Sequence, residues 1–160
     1  MWNKKLNFNL FFYFQYTLLY FLAAFLTKNL FIHYEQLGLS VEGGFFEIMV
    51  LKNTGAAFSI LKDGSPFLAF FSIVILVLLL NYVINNYEHF KLIQIHSLAL
   101  LSAGILSNTV ERIMDGYVTD YIKLTFVNFP VFNIADVCIN IGVALLIISL
   151  LFFDKKVTRL

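Results

Sequence analysis

Charge is scarce in this sequence: its 11 Lys and Arg and 10 Asp and Glu make up only 13% of 160 residues. An ordinary soluble domain carries about 25% charged residues, so a solvated surface of the usual extent is excluded. The basic residues are scattered and the formal net charge is +1, which leaves no basic face for a phosphate backbone and excludes nucleic acid as a partner. Cysteine occurs once, as Cys138. That rules out an internal disulfide framework, and a lone thiol in an apolar run reads as a small buried side chain. Proline occurs twice, and no linker, repeat or low-complexity tract divides the chain, so residues 1–160 are assigned to one domain. His33, His89 and His96 have no metal-binding spacing, and neither a GxSxG elbow nor a phosphate-binding glycine loop is present. No metal and no cofactor is expected, and serine-hydrolase and nucleotide-hydrolase readings fall away.

What the sequence has is hydrocarbon. Hydrophobic residues make up 60% of it and aromatics 18%, with 19 Phe, against about 45–50% apolar in soluble domains. Four stretches lack Asp, Glu, Lys and Arg altogether: 6–27, 65–87, 92–110 and 137–153. Each is close to the roughly 20 residues that a helix needs to cross a bilayer. The expected fold is an all-α polytopic membrane protein with spans at about 8–31, 66–87, 92–112 and 133–153. The first apolar run is longer than the roughly 7–15 residues of a signal-peptide core and lacks a cleavage site, so it reads as a retained span. Lys4, Lys5, Lys91, Lys155, Lys156 and Arg159 all fall on the side that holds both termini, which the positive-inside rule assigns to the cytoplasm.

The two remaining segments, 33–64 and 114–132, then face outward. Residues 44–60 mix strand formers with a turn signal at Asn53-Thr54-Gly55, and 116–122 alternate as an extended segment does. A small β element at the membrane surface and an interfacial loop are expected there. Polar residues in or beside the spans form two stripes. Asn133, Asp136 and Asn140 share one face of the last helix, and on the third Asn108, Glu111 and Arg112 stand at i, i+3 and i+4, so that Asn108 can touch either neighbour one turn on. The stripes should face each other. Asn140, Ser102 and Ser107 read as packing contacts, Glu111 and Arg112 as a charge pair steadying the third helix, and Lys28 as a side chain that snorkels to the interface.

Asp136 has no cation beside it in its own span, and a second carboxyl, Asp120, lies sixteen residues earlier. If the connecting loop folds back, the two meet. Such a pair holds one proton between two carboxyls and can both activate water and protonate a leaving amine. Spacing alone leaves this open against two unrelated aspartates.

Four motifs, in order along nearly the whole chain, resemble those of lipoprotein signal peptidase, or signal peptidase II, the membrane aspartyl peptidase of bacteria. They are Lys52-Asn53-Thr54-Gly55-Ala56-Ala57-Phe58-Ser59, Ser107-Asn108-Thr109-Val110-Glu111-Arg112, Gly116-Tyr117-Val118-Thr119-Asp120-Tyr121-Ile122, and Phe132-Asn133-Ile134-Ala135-Asp136. The resemblance implies that Asp120 and Asp136 are the catalytic dyad. It implies that Asn53 and Gly55 lie near the substrate in an extracytoplasmic β-cradle, and that Asn108, Arg112 and Asn133 support the dyad. It further implies hydrolysis of the signal peptide of prolipoproteins before a diacylglyceryl-modified cysteine, with no cofactor. The partners implied are those prolipoproteins and membrane lipid, with the protein a monomer open to inhibition by globomycin-type peptide antibiotics. The implied location is the bacterial cytoplasmic (inner) membrane, with the active site at its outer surface.

Two positions depart from the family pattern. Ala24 and Phe25 stand where aspartate and glutamine are usual before Lys28, and Glu111 stands where aspartate usually precedes the arginine. A paralogue with an altered substrate, or a non-catalytic lipopeptide binder, is the first alternative. A four-span transport or scaffold protein with Asp136 and Asn133 along an ion path is the alternative from another class, and the outer motifs speak against it.

Overall fold

The computed structural model describes residues 4–39, 42–55 and 63–153. Lys155, Lys156 and Arg159, and the motif residues 56–59, lie outside them. Helix α1 (Lys4–Gln36) is followed by strands β1 (Glu42–Gly43) and β2 (Phe46–Asn53), helix α2 (Ser65–Asn86), a 3-10 turn (Tyr87–His89), helix α3 (Leu92–Met114), strand β3 (Val118–Leu124) and helix α4 (Ile134–Phe153). Among the described residues four helices are long and apolar enough to cross a membrane. In hydrocarbon every backbone N–H and C=O must find its partner within the chain, and a helix achieves this in one segment.

Helix α1 continues past the expected end of its span because 28–36 holds no breaker. At about 1.5 Å per residue its 33 residues reach about 50 Å, beyond a hydrocarbon core of about 30 Å. Gly38 stops it. With φ at 69° it takes the left-handed conformation, while its N–H bonds the Glu35 carbonyl and that of Leu39 the Tyr34 carbonyl. These are the two bonds of a Schellman cap.

Helix α3 is the centre of the bundle: 67% of its apolar window is buried, against 11–22% for the other three. It packs most extensively on α4, then α1, then α2. Small residues allow this, since between helices in lipid the attraction comes from close packing and hydrogen bonds. A Cβ on Gly104 would strike the Ala135 carbonyl and the Ile139 side chain, and one on Gly142 would come within 2.8 Å of the Ser97 carbonyl. The Tyr13 hydroxyl pairs with Ser102 Oγ at 2.6 Å, tying α1 to α3, and Tyr20 does the same with His96 Nδ1 at 2.8 Å. Val83, Ile95, Leu98 and Ala99 close the core around Tyr13.

Strands β2 and β3, from the segments after α1 and after α3, pair with each other. The sheet order is β1-β2-β3, all antiparallel, with Phe46 opposite Leu124, Leu51 opposite Asp120 and Asn53 opposite Val118. The register shifts between Ile48 and Leu51, the mark of a bulge that re-aims neighbouring side chains. The cross-strand pair Glu47 and Lys123 is bridged at 3.1 Å. After β3 the chain folds back, and Phe132 bridges to Ile122. This return delivers the start of α4 to the flank of β3.

Candidate active site

The local structure of Asn133-Ile134-Ala135-Asp136 is a helix cap. The Asp136 N–H donates to Asn133 Oδ1 at 2.9 Å, and the Asn133 N–H donates to Asp136 Oδ2 at 3.1 Å. This is the reciprocal arrangement of a capping box, which satisfies two otherwise orphaned amides. A third amide, that of Ile134, donates to the Tyr121 hydroxyl at 3.2 Å. Burial pushes the Tyr121 phenol up to about 12, so it stays protonated.

The cap leaves Asp136 Oδ1 for α3, where Asn108 Nδ2 donates to it at 2.9 Å. The two polar stripes meet through Asn108, Asp136 and Asn133, while Glu111 turns to Lys28 and Thr119 instead. Asn133 Nδ2 donates both to Asn108 Oδ1 at 3.2 Å and to Asp120 Oδ1 at 2.9 Å. The second oxygen of Asp120 accepts from Asn53 Nδ2 at 2.9 Å, and Asn53 Oδ1 accepts the Gly55 N–H at 3.0 Å. Arg112 donates to the Gly55 carbonyl at 3.2 Å and to the Asn108 carbonyl at 3.4 Å. Asp120, Asp136, Asn53, Gly55, Asn108, Arg112 and Asn133 thus form one connected network drawn from four elements and the turn after β2.

Both carboxyls open onto a single cavity of about 620 Å³, whose wall also includes Leu51, Val118 and the Phe129-Pro130-Val131-Phe132 run. Asp120 is only 4% exposed. Burial raises its carboxyl to about 6; the bonds from Asn53 and Asn133 pull it down, while the neighbouring Asp136 and Glu111 push it up. A carboxyl in that range can give and take a proton near neutral pH. Among the described residues no three His, Cys, Asp or Glu side chains gather as metal ligands would.

Two readings of the sequence are corrected. Lys28 does not snorkel: its Nζ lies 3.7 Å from Glu111 Oε2, and both side chains are nearly buried. Glu111 and Arg112 are not each other's partners either. Residues i and i+1 point to different helix faces, so Glu111 turns to α1 and β3 while Arg112 turns to the cavity. The Asp136 carboxyl, which has no cation beside it in its own span, is held by two donors, Asn108 Nδ2 and the Asn133 N–H. The reach of Asn53 to Asp120 depends on the pairing of β2 with β3, which no local pattern displays. The Glu111 contact with the Thr119 N–H, at 2.8 Å, was also missed.

The comparisons with known proteins point the same way. The family model described as signal peptidase (SPase) II matches residues 16–152. The lipoprotein signal peptidase of Streptococcus thermophilus (strain CNRZ 1066) is 37% identical over 107 residues, covering 67% of this chain and 69% of that one. That of Clostridium tetani (strain Massachusetts / E88) is 38% identical over 120 residues, covering 71% and 76%. A solved structure of a bacterial membrane enzyme, determined by the in meso method, matches with a TM-score of 0.75 and 31% identity over 87% of each chain. With most of its length matched in sequence and in fold, this four-helix membrane protein belongs to the signal peptidase II family of aspartic peptidases.

Proposed function

We propose that this protein removes the signal peptide from diacylglyceryl-modified prolipoproteins, cutting before the lipidated cysteine with a water held between Asp120 and Asp136. The observation that carries the reading is the placement of both carboxyls on one cavity wall, joined through Asn133 and Asn108. Such a pair shares a proton and titrates as a unit. The ionised member takes a proton from the water as the water oxygen attacks the scissile carbonyl, and the protonated member gives its proton to the carbonyl oxygen. The resulting diol collapses as one carboxyl passes its proton to the amide nitrogen and the other carboxylate takes a proton from a diol hydroxyl; the C–N bond breaks, leaving the amine and a carboxylic acid. No covalent enzyme intermediate forms.

The amides of Asn53, Asn108 and Asn133 hold the carboxyls in place without adding charge, and the Arg112 guanidinium steadies the turn at Gly55 by which a peptide would pass. The substrate's acyl chains remain in lipid beside the bundle while its extended backbone crosses the cavity. Both termini lie in the cytoplasm in this reading, and the sheet and cavity lie at the outer surface of the inner membrane.

The test is cleavage of a purified diacylglyceryl-modified prolipoprotein by the protein in lipid, beside Asp120→Asn and Asp136→Asn. Wild type should cut before the lipidated cysteine, and each variant should lose at least about a thousandfold in kcat while inserting and folding normally. Turnover surviving in either variant refutes the dyad. A well-folded wild type that binds the substrate without cutting it would make the protein a lipopeptide binder.

A further inference from the structure

The two aspartates come from different elements, so something must set their separation. Asp136 is held to α3 by Asn108. One turn further along the same helix, Glu111 Oε2 accepts the main-chain N–H of Thr119, the residue before Asp120, at 2.8 Å. On the other side of Asp120 the N–H of Tyr121 donates to the Phe132 carbonyl at 3.0 Å, beside Asn133. The main chain of Asp120 is therefore gripped before and after. One grip comes from the third helix and the other from the entry to the fourth.

From this we infer that Glu111 is a positioning residue: by holding the Thr119 amide it fixes Asp120 relative to Asp136, with α3 as the common ruler. The inference rests on the dyad reading above. Glu111 is 6% exposed, and a carboxylate so buried requires a counter-ion. Lys28 meets it at the same oxygen that accepts the Thr119 N–H. Ala24, one turn before Lys28 and itself buried, has no charge to offer. Among the described residues Glu111 is the only carboxylate within ion-pair distance of Lys28. Lys28 thus serves the grip, and its charge is spent on Glu111 and not on the substrate.

Two double variants separate the grip from charge balance, measured on the full chain in lipid with a diacylglyceryl-modified prolipoprotein. Lys28→Met with Glu111→Gln removes both charges but keeps a carbonyl oxygen for the Thr119 N–H. Lys28→Met with Glu111→Leu removes both charges and the acceptor, and apolar replacement of a buried ion pair is generally tolerated by the fold. The Gln version should keep kcat within about threefold of wild type, and the Leu version should lose about tenfold or more, the scale of one lost hydrogen bond to a charged or buried group, with KM little changed. Equal kcat in the two overturns the inference, whether both are high or both are low. Hydrogen exchange at the Thr119 amide reads the grip without catalysis: it should be at least about tenfold faster in the Leu version, and equal exchange overturns the inference as well. Failure of wild type to cleave would refute the peptidase reading instead, leaving the exchange result to decide this one.

Discussion

Asparagine does at this site what no charged residue can, because its side chain donates and accepts at once. Asn133 accepts from the Asp136 N–H and donates to Asp120 and Asn108, so it links two carboxyls without adding a third charge beside them. The cost falls on Asp120, whose carboxyl is raised to about 6 chiefly by burial, above an unfolded value near 3.9. The folded state therefore holds this proton more tightly than the unfolded chain. Its contribution favours folding below about pH 4 and is lost as pH rises through about 6, a swing of about 3 kcal/mol. Asp120→Asn removes the titration. Thermal unfolding of the two proteins in detergent at pH 4 and pH 7 should show the variant gaining on wild type at the higher pH; a pH-independent difference would contradict the raised carboxyl. The helical stripes bearing Asn108, Asp136 and Asn133 were legible in the sequence, since a period of 3.6 is a local property. The bond from Asn53 to Asp120 spans 67 residues and follows from strand register, which no local window contains.

At the scale of elements, the position of the site depends on how closely α3 and α4 approach. Gly104 lies one turn before Asn108 on α3 and against Ala135 of the Asp136 cap. A methyl group there meets backbone, not the end of a flexible side chain, so one of the helices has to move. Gly104→Ala should destabilise the protein by about 1–3 kcal/mol, as overpacking does, and should reduce kcat more than substrate affinity by drawing Asp136 away from Asn108. Thermal unfolding and steady-state cleavage check both parts, and a variant with wild-type Tm and kcat would contradict the close approach. The four spans were legible because runs free of charge announce themselves. The length of α1 was not, because its end is set by Gly38 and a pair of backbone bonds and not by polarity. Charge partners were misread for a related reason: Lys28 and Glu111 find each other across two helices, and sequence neighbours such as Arg112 mislead.

For the molecule as a whole, the exposed Phe, Leu and Ile side chains along α1, α2 and α4 are a surface suited to acyl chains, and they explain how so apolar a chain can be stable with only one largely buried helix. Orientation is the property that decides which substrates reach the cavity. Helix α3, 23 residues or about 35 Å long, carries the turn containing Glu88 at one end and the sheet with the cavity at the other. In the orientation proposed above, Lys91, at the Glu88 end, lies in the cytoplasm. In a Cys138→Ala background, Asn128→Cys and Glu88→Cys each put one thiol at an exposed position. A membrane-impermeant maleimide should label Asn128→Cys in intact spheroplasts, and Glu88→Cys only after lysis. The reverse pattern would turn the cavity to the cytoplasm, where a signal peptide whose lipidated cysteine sits in the outer leaflet could not reach Asp120 and Asp136, and the prolipoprotein reading would fail with it.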